Sequence, residues 1–312
     1  MLNKMLNIKY PIIQGAMAHI ATAEFAAAVS ECGGLGIIAT GGMTVEDAQR
    51  EIRKCRSLTD KPFGVNIMLM NPNTPEMIEM ICAEQVAAVT TGAGNPGPYM
   101  ELLKSSGAKV FPVVPSVALA RRMERCGADA VIVEGGESGG HVGEQTTMAL
   151  VPQVADAVSI PVIAAGGIAD GRGFNAALAL GAVGVQIGTC LLAAEECPVH
   201  PNYKQAVIKA GDTDTVVTGR SIGTPVRIRK NKMSRRYAQL EKSGADKEQM
   251  EMLTLGALRK AVKDGDVDNG SVMMGQIAGL CREIKPVQEI LDRIITQSQT
   301  ELTNLQQKLE KI

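Results

Sequence analysis

The chain has 312 residues and a formal net charge of −1, with 45% hydrophobic and 21% charged residues. That composition excludes a mainly disordered chain, and the near-neutral charge gives no overall pull toward nucleic acid or an anionic membrane. Aromatics are only 3%, with no Trp, which excludes a base-stacking platform.

Eight short aliphatic runs punctuate the first two thirds of the chain. They are Ile12-Ile13, Leu35–Ala39, Phe63–Leu69, Val86–Val89, Val110–Val114, Val131–Val133, Val162–Ala165 and Val185–Ile187, with starts 21 to 31 residues apart. They are continuous rather than alternating, as expected of strands buried on both faces. Helical patterns fill the gaps. Thr44-Val45-Glu46-Asp47 opens one with a capping-box signature, and Thr74-Pro75 opens another with Pro at the first helical position. Ser116 precedes a third, Val117 to Met123. Gly107-Ala108, Gly127-Ala128 and Gly181-Ala182 each stand between a helical pattern and the next strand, where a left-handed cap favours glycine. Eight βα units predict a (β/α)8 barrel over 1–195; a doubly wound open sheet is the alternative, though it usually needs fewer units.

The pattern changes near residue 195. Residues 220–236 hold seven basic residues (Arg220, Arg227, Arg229, Lys230, Lys232, Arg235, Arg236) and no acid. Asp264-Gly265-Asp266 reads as a turn. Pro286 starts a last helix with apolar residues at Val287, Ile290, Leu291, Ile294, Ile295, Leu302, Leu305 and Leu309. The segment 196–312 reads as a helical cap and substrate-binding region completing the barrel.

In a parallel barrel the chemistry sits at the carboxyl ends of the strands. Ala165-Gly166-Gly167-Ile168 follows the seventh run and Gly188-Thr189 the eighth. Two adjacent turns of this kind expose backbone N–H groups and predict a phosphate site. The sixth run ends in Glu134-Gly135-Gly136-Glu137-Ser138-Gly139-Gly140-His141. Four glycines in seven residues let backbone lie against something flat or anionic. His141, with an ordinary pKa of about 6.5, suits proton transfer there. His19 lies just past the first run, and either lines the pocket or is a plain loop residue. His200 reads as structural. Three dispersed His and no acidic cluster argue against a dedicated metal site. The basic stretch is either a solvated face or a grip for an acidic partner or a phosphate. Seven scattered Cys with no CxxC pair fit a reducing compartment. The sequence shows no secretory core at Met1–Tyr10 and no apolar run near ~18 residues, which predicts a soluble cytoplasmic protein that neither spans nor binds membrane.

Pro11–Met17 (PIIQGAM), Lys61–Leu69 and Glu134–Gly143 (EGGESGGHVG) resemble the flavin-dependent family of nitronate monooxygenases and FabK-type enoyl-acyl-carrier-protein reductases. Thr90–Pro96, Pro112–Ala120, Ile160–Asp170, His200–Lys204, Gly265–Asp268 and Met274–Leu280 point to the second branch. The resemblance implies an FMN-bound barrel with a helical cap, assembled as a homodimer. FMN would meet backbone at Gly15, Ala16 and Met17. Asn66 and Glu134 would take its polar edge and ribityl chain. Gly139, Gly140, Gly166, Gly167, Gly188 and Thr189, beside Gln186, would take its phosphate. His141 falls on the family's catalytic histidine. The implied reaction is reduction of trans-2-enoyl-acyl carrier protein with NADH or NADPH. Some members of this type take a monovalent-cation activator. The sequence departs from the family at His19, where an aromatic is common. The rivals are nitronate oxidation by O2, a flavin-binding scaffold without turnover, and a phosphate-binding isomerase or aldolase. The last would need a lysine or paired carboxylates at the strand ends, and neither is found.

Overall fold

The computed structural model describes residues 1–311. In chain order the strands are β1 (Ile12–Gln14), β2 (Gly36–Ala39), β3 (Phe63–Met68), β4 (Ala88–Gly92), β5 (Lys109–Val114), β6 (Val131–Glu134), β7 (Gly140–His141), β8 (Val162–Ala165), β9 (Gly184–Ile187), β10 (Thr215–Thr218) and β11 (Val226–Arg229). The helices are α1 (Leu2–Leu6), α2 (Ala23–Glu31), α3 (Val45–Leu58), α4 (Thr74–Ala83), α5 (Met100–Ser105), α6 (Val117–Arg125), α7 (Thr147–Ala155), α8 (Gly171–Ala179), α9 (Thr189–Leu192), α10 (Pro201–Ile208), α11 (Lys232–Lys242), α12 (Lys247–Thr254), α13 (Ala257–Asp264) and α14 (Val287–Leu309).

Each of the eight aliphatic runs forms a strand. All eight pair in parallel, in the order β1-β9-β8-β6-β5-β4-β3-β2. The seam is joined by a bridge between Ile13 and Leu35, where Gln14 N–H donates to Leu35 O and Leu35 N–H to Ile12 O, both at 2.9 Å. The fold is therefore the (β/α)8 barrel and not an open sheet. Alternate strand residues such as Ile13, Ile37, Phe111, Ile132 and Ile163 form an inner apolar cluster with Leu2 and Leu6 of α1. The other set, with Ile12, Ile38, Val65, Val89 and Val185, packs with the helices.

Local signals behave as their chemistry requires. The Thr44 and Ser116 hydroxyls accept from Asp47 N–H and Leu119 N–H, capping α3 and α6. Gly107, Gly127 and Gly181 have φ of 86°, 90° and 101°. At α4 the cap is Asn73, so Pro75 is the second helical residue rather than the first.

The region after 195 differs from a purely helical cap. Strands β10 and β11 form an antiparallel hairpin, and β7 joins β11 as a third strand. The expected division at 195/196 also placed the last helix in the cap as one block with the rest. Instead α14 packs against α8 and α2, on the outside of the barrel. Residues 194 and 285 meet in a parallel bridge, with Glu195 N–H donating to Lys285 O at 2.9 Å. The segment between them is thus an excursion from the last βα unit, and α14 supplies that unit's helix. All eight barrel strands precede it. No described helix is long and apolar enough to cross a membrane.

Close approach of α2 to β2 depends on Gly36, where a Cβ would collide with the Ala26 carbonyl. Gly36→Ala is expected to lower unfolding free energy by about 3 kcal/mol or more, as overpacking against backbone does. Gly41→Ala, at a site with nothing within 4 Å, is the control and should leave chemical denaturation unchanged.

Candidate functional site

The carboxyl ends of the strands open on one cavity of about 560 Å³, within the usual range for ligand sites. Every residue expected from the sequence lines it. Gly15, Ala16 and Met17 follow β1; Asn66 lies in β3; Glu134 ends β6. Gly139, Gly140 and His141 come from the loop after β6, Gly166 and Gly167 follow β8, and Gln186, Gly188 and Thr189 come from β9 and beyond. His19 is exposed and does not line the cavity, although its neighbours Ala18 and Ile20 do. It adopts the left-handed φ of 63° in the turn after β1.

Backbone geometry makes one side of this cavity a set of hydrogen-bond donors. Gly140, Gly166 and Gly167 have φ of 82°, 90° and 74°. The N–H groups of Gly139, Gly166, Gly167 and Gly188 donate to no other described residue. All four glycines line the same cavity and place no side chain of their own in it, which suits an anion such as a phosphate monoester. Gly139 must lack a side chain for another reason: a Cβ there would stand 2.6 Å from the Met274 carbonyl carbon.

The rest of the wall supplies polar groups at fixed places and apolar surface between them. Asn66 Nδ2 donates to Thr90 Oγ1 at 2.9 Å, which orients its amide. Burial pushes the Glu134 carboxyl up to about 7, against a smaller downward pull from Ser138. Met17, Ile20, Leu192, Leu258, Met273 and Ile277 provide the apolar contact. These residues fit a ligand with a flat apolar body, a polar edge and a terminal phosphate, which is the anatomy of FMN.

His141 is not on a free loop. Gly140 and His141 pair with Arg227 and Val226 of β11, so the imidazole projects into the cavity from a strand. Desolvation alone lowers its pKa below 6.5. The start of the same loop is held by Arg227 of β11, whose Nε and NH2 groups donate to Gly136 O at 3.0 and 2.8 Å. Its NH1 group donates to Thr215 Oγ1 at 3.0 Å.

The basic stretch is therefore not one uniform surface. Arg227 is turned inward, Arg220 pairs with Glu144, and Lys232 pairs with Asp268 at 3.1 Å. Lys230, Arg235 and Arg236 are exposed. His200 is structural: its Nδ1 accepts from Asn202 N–H at 3.1 Å and caps α10. Four more residues reach the cavity from the excursion: Gly275 and Ile277, from the Met274–Leu280 segment that carries the resemblance but without a site role there, and Leu258 and Met273, which no sequence signal marks. The sequence reading also passed over Glu137 and Ser138. These two lay inside a motif already noticed, so their position in the loop was an available signal.

A parallel barrel with a cavity at the carboxyl ends of its strands serves many kinds of reaction, and the comparisons with known proteins give the class, an oxidoreductase, and the family. The nitronate monooxygenase family model matches residues 1–79 and 74–297, and the chain belongs to that family. It is 34% identical to a probable nitronate monooxygenase of Staphylococcus haemolyticus over 97% of this chain and 98% of that one. It is 32% identical, over 96% of each chain, to the (3aS,4S,5R,7aS)-5-hydroxy-7a-methyl-1-oxo-octahydro-1H-indene-4-carboxyl-CoA dehydrogenase of Mycobacterium tuberculosis. The solved structure of FabK from Thermotoga maritima is 49% identical, with a TM-score of 0.96 over 98% of each chain.

The raised Glu134 pKa carries a stability consequence. The folded protein holds this proton more tightly than the unfolded chain, where the ordinary value is 4.5. Its contribution is complete below about 4.5 and is lost as pH rises through about 7. Flavin-free protein should lose stability across that window in chemical denaturation. Glu134→Gln should flatten this part of the profile; an unaltered slope would refute the assignment.

Proposed function

We propose that this chain is an FMN-dependent reductase that uses NADH or NADPH to convert trans-2-enoyl-acyl carrier protein to the acyl form, acting as a cytoplasmic homodimer. The observation that carries the reading is His141, fixed by strand pairing and facing a cavity with free backbone donors. The 49% identity to a FabK supports the reductase over the other activities named among the relatives. The seven cysteines are all free, in keeping with a reducing compartment.

Bound FMN supplies hydride transfer from a nicotinamide to the β-carbon of an enoyl thioester. The chain's residues do the rest. The N–H groups of Gly139, Gly166, Gly167, Gly188 and Thr189 hold the phosphate, while Asn66, Glu134 and Gln186 take the polar edge. The apolar wall excludes water and accepts the acyl chain. His141 holds a proton on its imidazole and delivers it to the α-carbon as charge develops on the thioester. The exposed Lys230, Arg235 and Arg236 offer the acidic carrier protein a docking patch.

The test is anaerobic. NADH or NADPH should bleach the flavin bands, and crotonyl-CoA or enoyl-acyl carrier protein should restore them. His141→Ala should keep FMN and lose about 10²-fold in reduction rate. The wild-type rate should fall as pH rises through the depressed His141 pKa, and the variant should lack that limb. Full-rate turnover by the variant would sink the assignment. A second reading, nitronate oxidation by O2, is favoured by the family match and the staphylococcal relative. No bleaching by nicotinamide, with turnover of a nitronate in air, would establish it.

Changing Lys230, Arg235 and Arg236 together to Ala should raise KM for the carrier-protein substrate several-fold and weaken its salt dependence. The crotonyl-CoA reaction should be untouched. An unchanged KM would remove the docking patch from the reading.

A further inference from the structure

Glu137 is a carboxylate in the wall of a cavity whose donors suit an anion, a position that charge alone disfavours. Its surroundings show how it is accommodated. Both carboxylate oxygens accept from Thr147 N–H, at 3.0 and 2.9 Å, in the first turn of α7. Thr146, the cap residue of that helix, makes no side-chain cap bond. Glu137 therefore caps α7 from ten residues upstream, where the helix dipole offsets its charge.

The same side chain lies against the glycine turn after β8. Its Cβ, Cγ and Cδ are all 3.6 Å from the point where a Cβ on Gly167 would be. The Thr147 hydroxyl lies 2.9 Å from Glu137 Oε2, 3.0 Å from Gly166 O and 3.3 Å from Ala165 O. One hydroxyl proton faces three acceptors. These contacts join the loop after β6, the start of α7 and the Gly166–Gly167 turn in one cluster. On the backbone side, Glu137 O accepts from Gln276 N–H at 2.9 Å, while Gly275 N–H donates to Thr189 Oγ1 at 2.8 Å. The excursion's wall is tied to the same residue.

We propose that Glu137 is the positioning residue of the anion cradle. Its carboxylate sets the relation of α7 to the Gly166–Gly167 turn, so that the free N–H groups converge on the phosphate monoester of the flavin nucleotide. Its carbonyl docks the 273–277 wall onto the same loop. This role rests on the flavin reading above, and riboflavin, which lacks the phosphate, separates the two.

Protein depleted of flavin by dialysis is titrated with FMN and with riboflavin, following flavin fluorescence. Wild type should prefer FMN. Glu137→Ala should lose about 10-fold or more in FMN affinity, with riboflavin changed by about twofold at most. Glu137→Gln keeps an acceptor for Thr147 N–H and the bulk beneath Gly167, and should return to within about threefold of wild type. Thr147→Val, close in shape and retaining its amide, should weaken FMN selectively as well, and serves if the alanine variant does not fold. Equal loss of FMN and riboflavin, or FMN binding unchanged or tightened in Glu137→Ala, would overturn the proposal alone. Wild type without preference for FMN would overturn the flavin reading and this proposal with it.

Discussion

Pairing of Gly140 and His141 with Arg227 and Val226 joins the catalytic face of the barrel to the excursion between residues 194 and 285. Much of the site depends on this two-residue strand. It pins the end of a glycine-rich loop, which would otherwise sample many conformations, to β11 and gives His141 a defined place against Val226. The Arg227 fork on Gly136 O fixes the loop's other end with charge-assisted hydrogen bonds. The excursion is therefore a structural partner of the His141 loop as well as a cover. Gly139 can lie against Met274 and Gly275 only because it carries no side chain, and Gly275 in turn lies against the Glu137 carbonyl, where a Cβ would stand 2.6 Å from the oxygen.

Desolvation acts on Glu134 and His141, two ionisable groups of the cavity, in opposite directions. It raises Glu134 to about 7 and lowers His141 below 6.5, so both favour their neutral forms. The donors for an anion come from backbone, whose partial charges need no counter-ion and do not titrate. Such a wall can hold a phosphate without a lysine or arginine beside it, and leaves His141 free to exchange a proton. The Arg227 guanidinium, which could have served the anion, is committed to Gly136 and Thr215.

Much of this was legible in the residues. The eight strands follow from continuous aliphatic runs, because a strand buried on both faces has no polar side to alternate with. The glycines at 166, 167 and 188 mark tight turns after strands, and in a barrel those turns face one way. His141 was conspicuous because few histidines occur and this one ends a glycine-rich loop. The basic stretch was less legible. Arg227 and Lys230 are alike on a charge count, yet one is turned inward and the other is exposed.

Local sequence thus determined the barrel, its polarity and the backbone part of its site, since strand burial, helix caps and positive-φ turns depend on near neighbours. Tertiary structure decided what depends on distant pairings. It made α14 the helix of the last βα unit, nearly a hundred residues after β9. It brought Met273 and Ile277 to the cavity, and it set His141 in a strand with Val226. The strand pairing joins positions about 85 residues apart, and its hydrogen bonds are made by backbone that every residue carries. No side-chain pattern along the chain records such a contact.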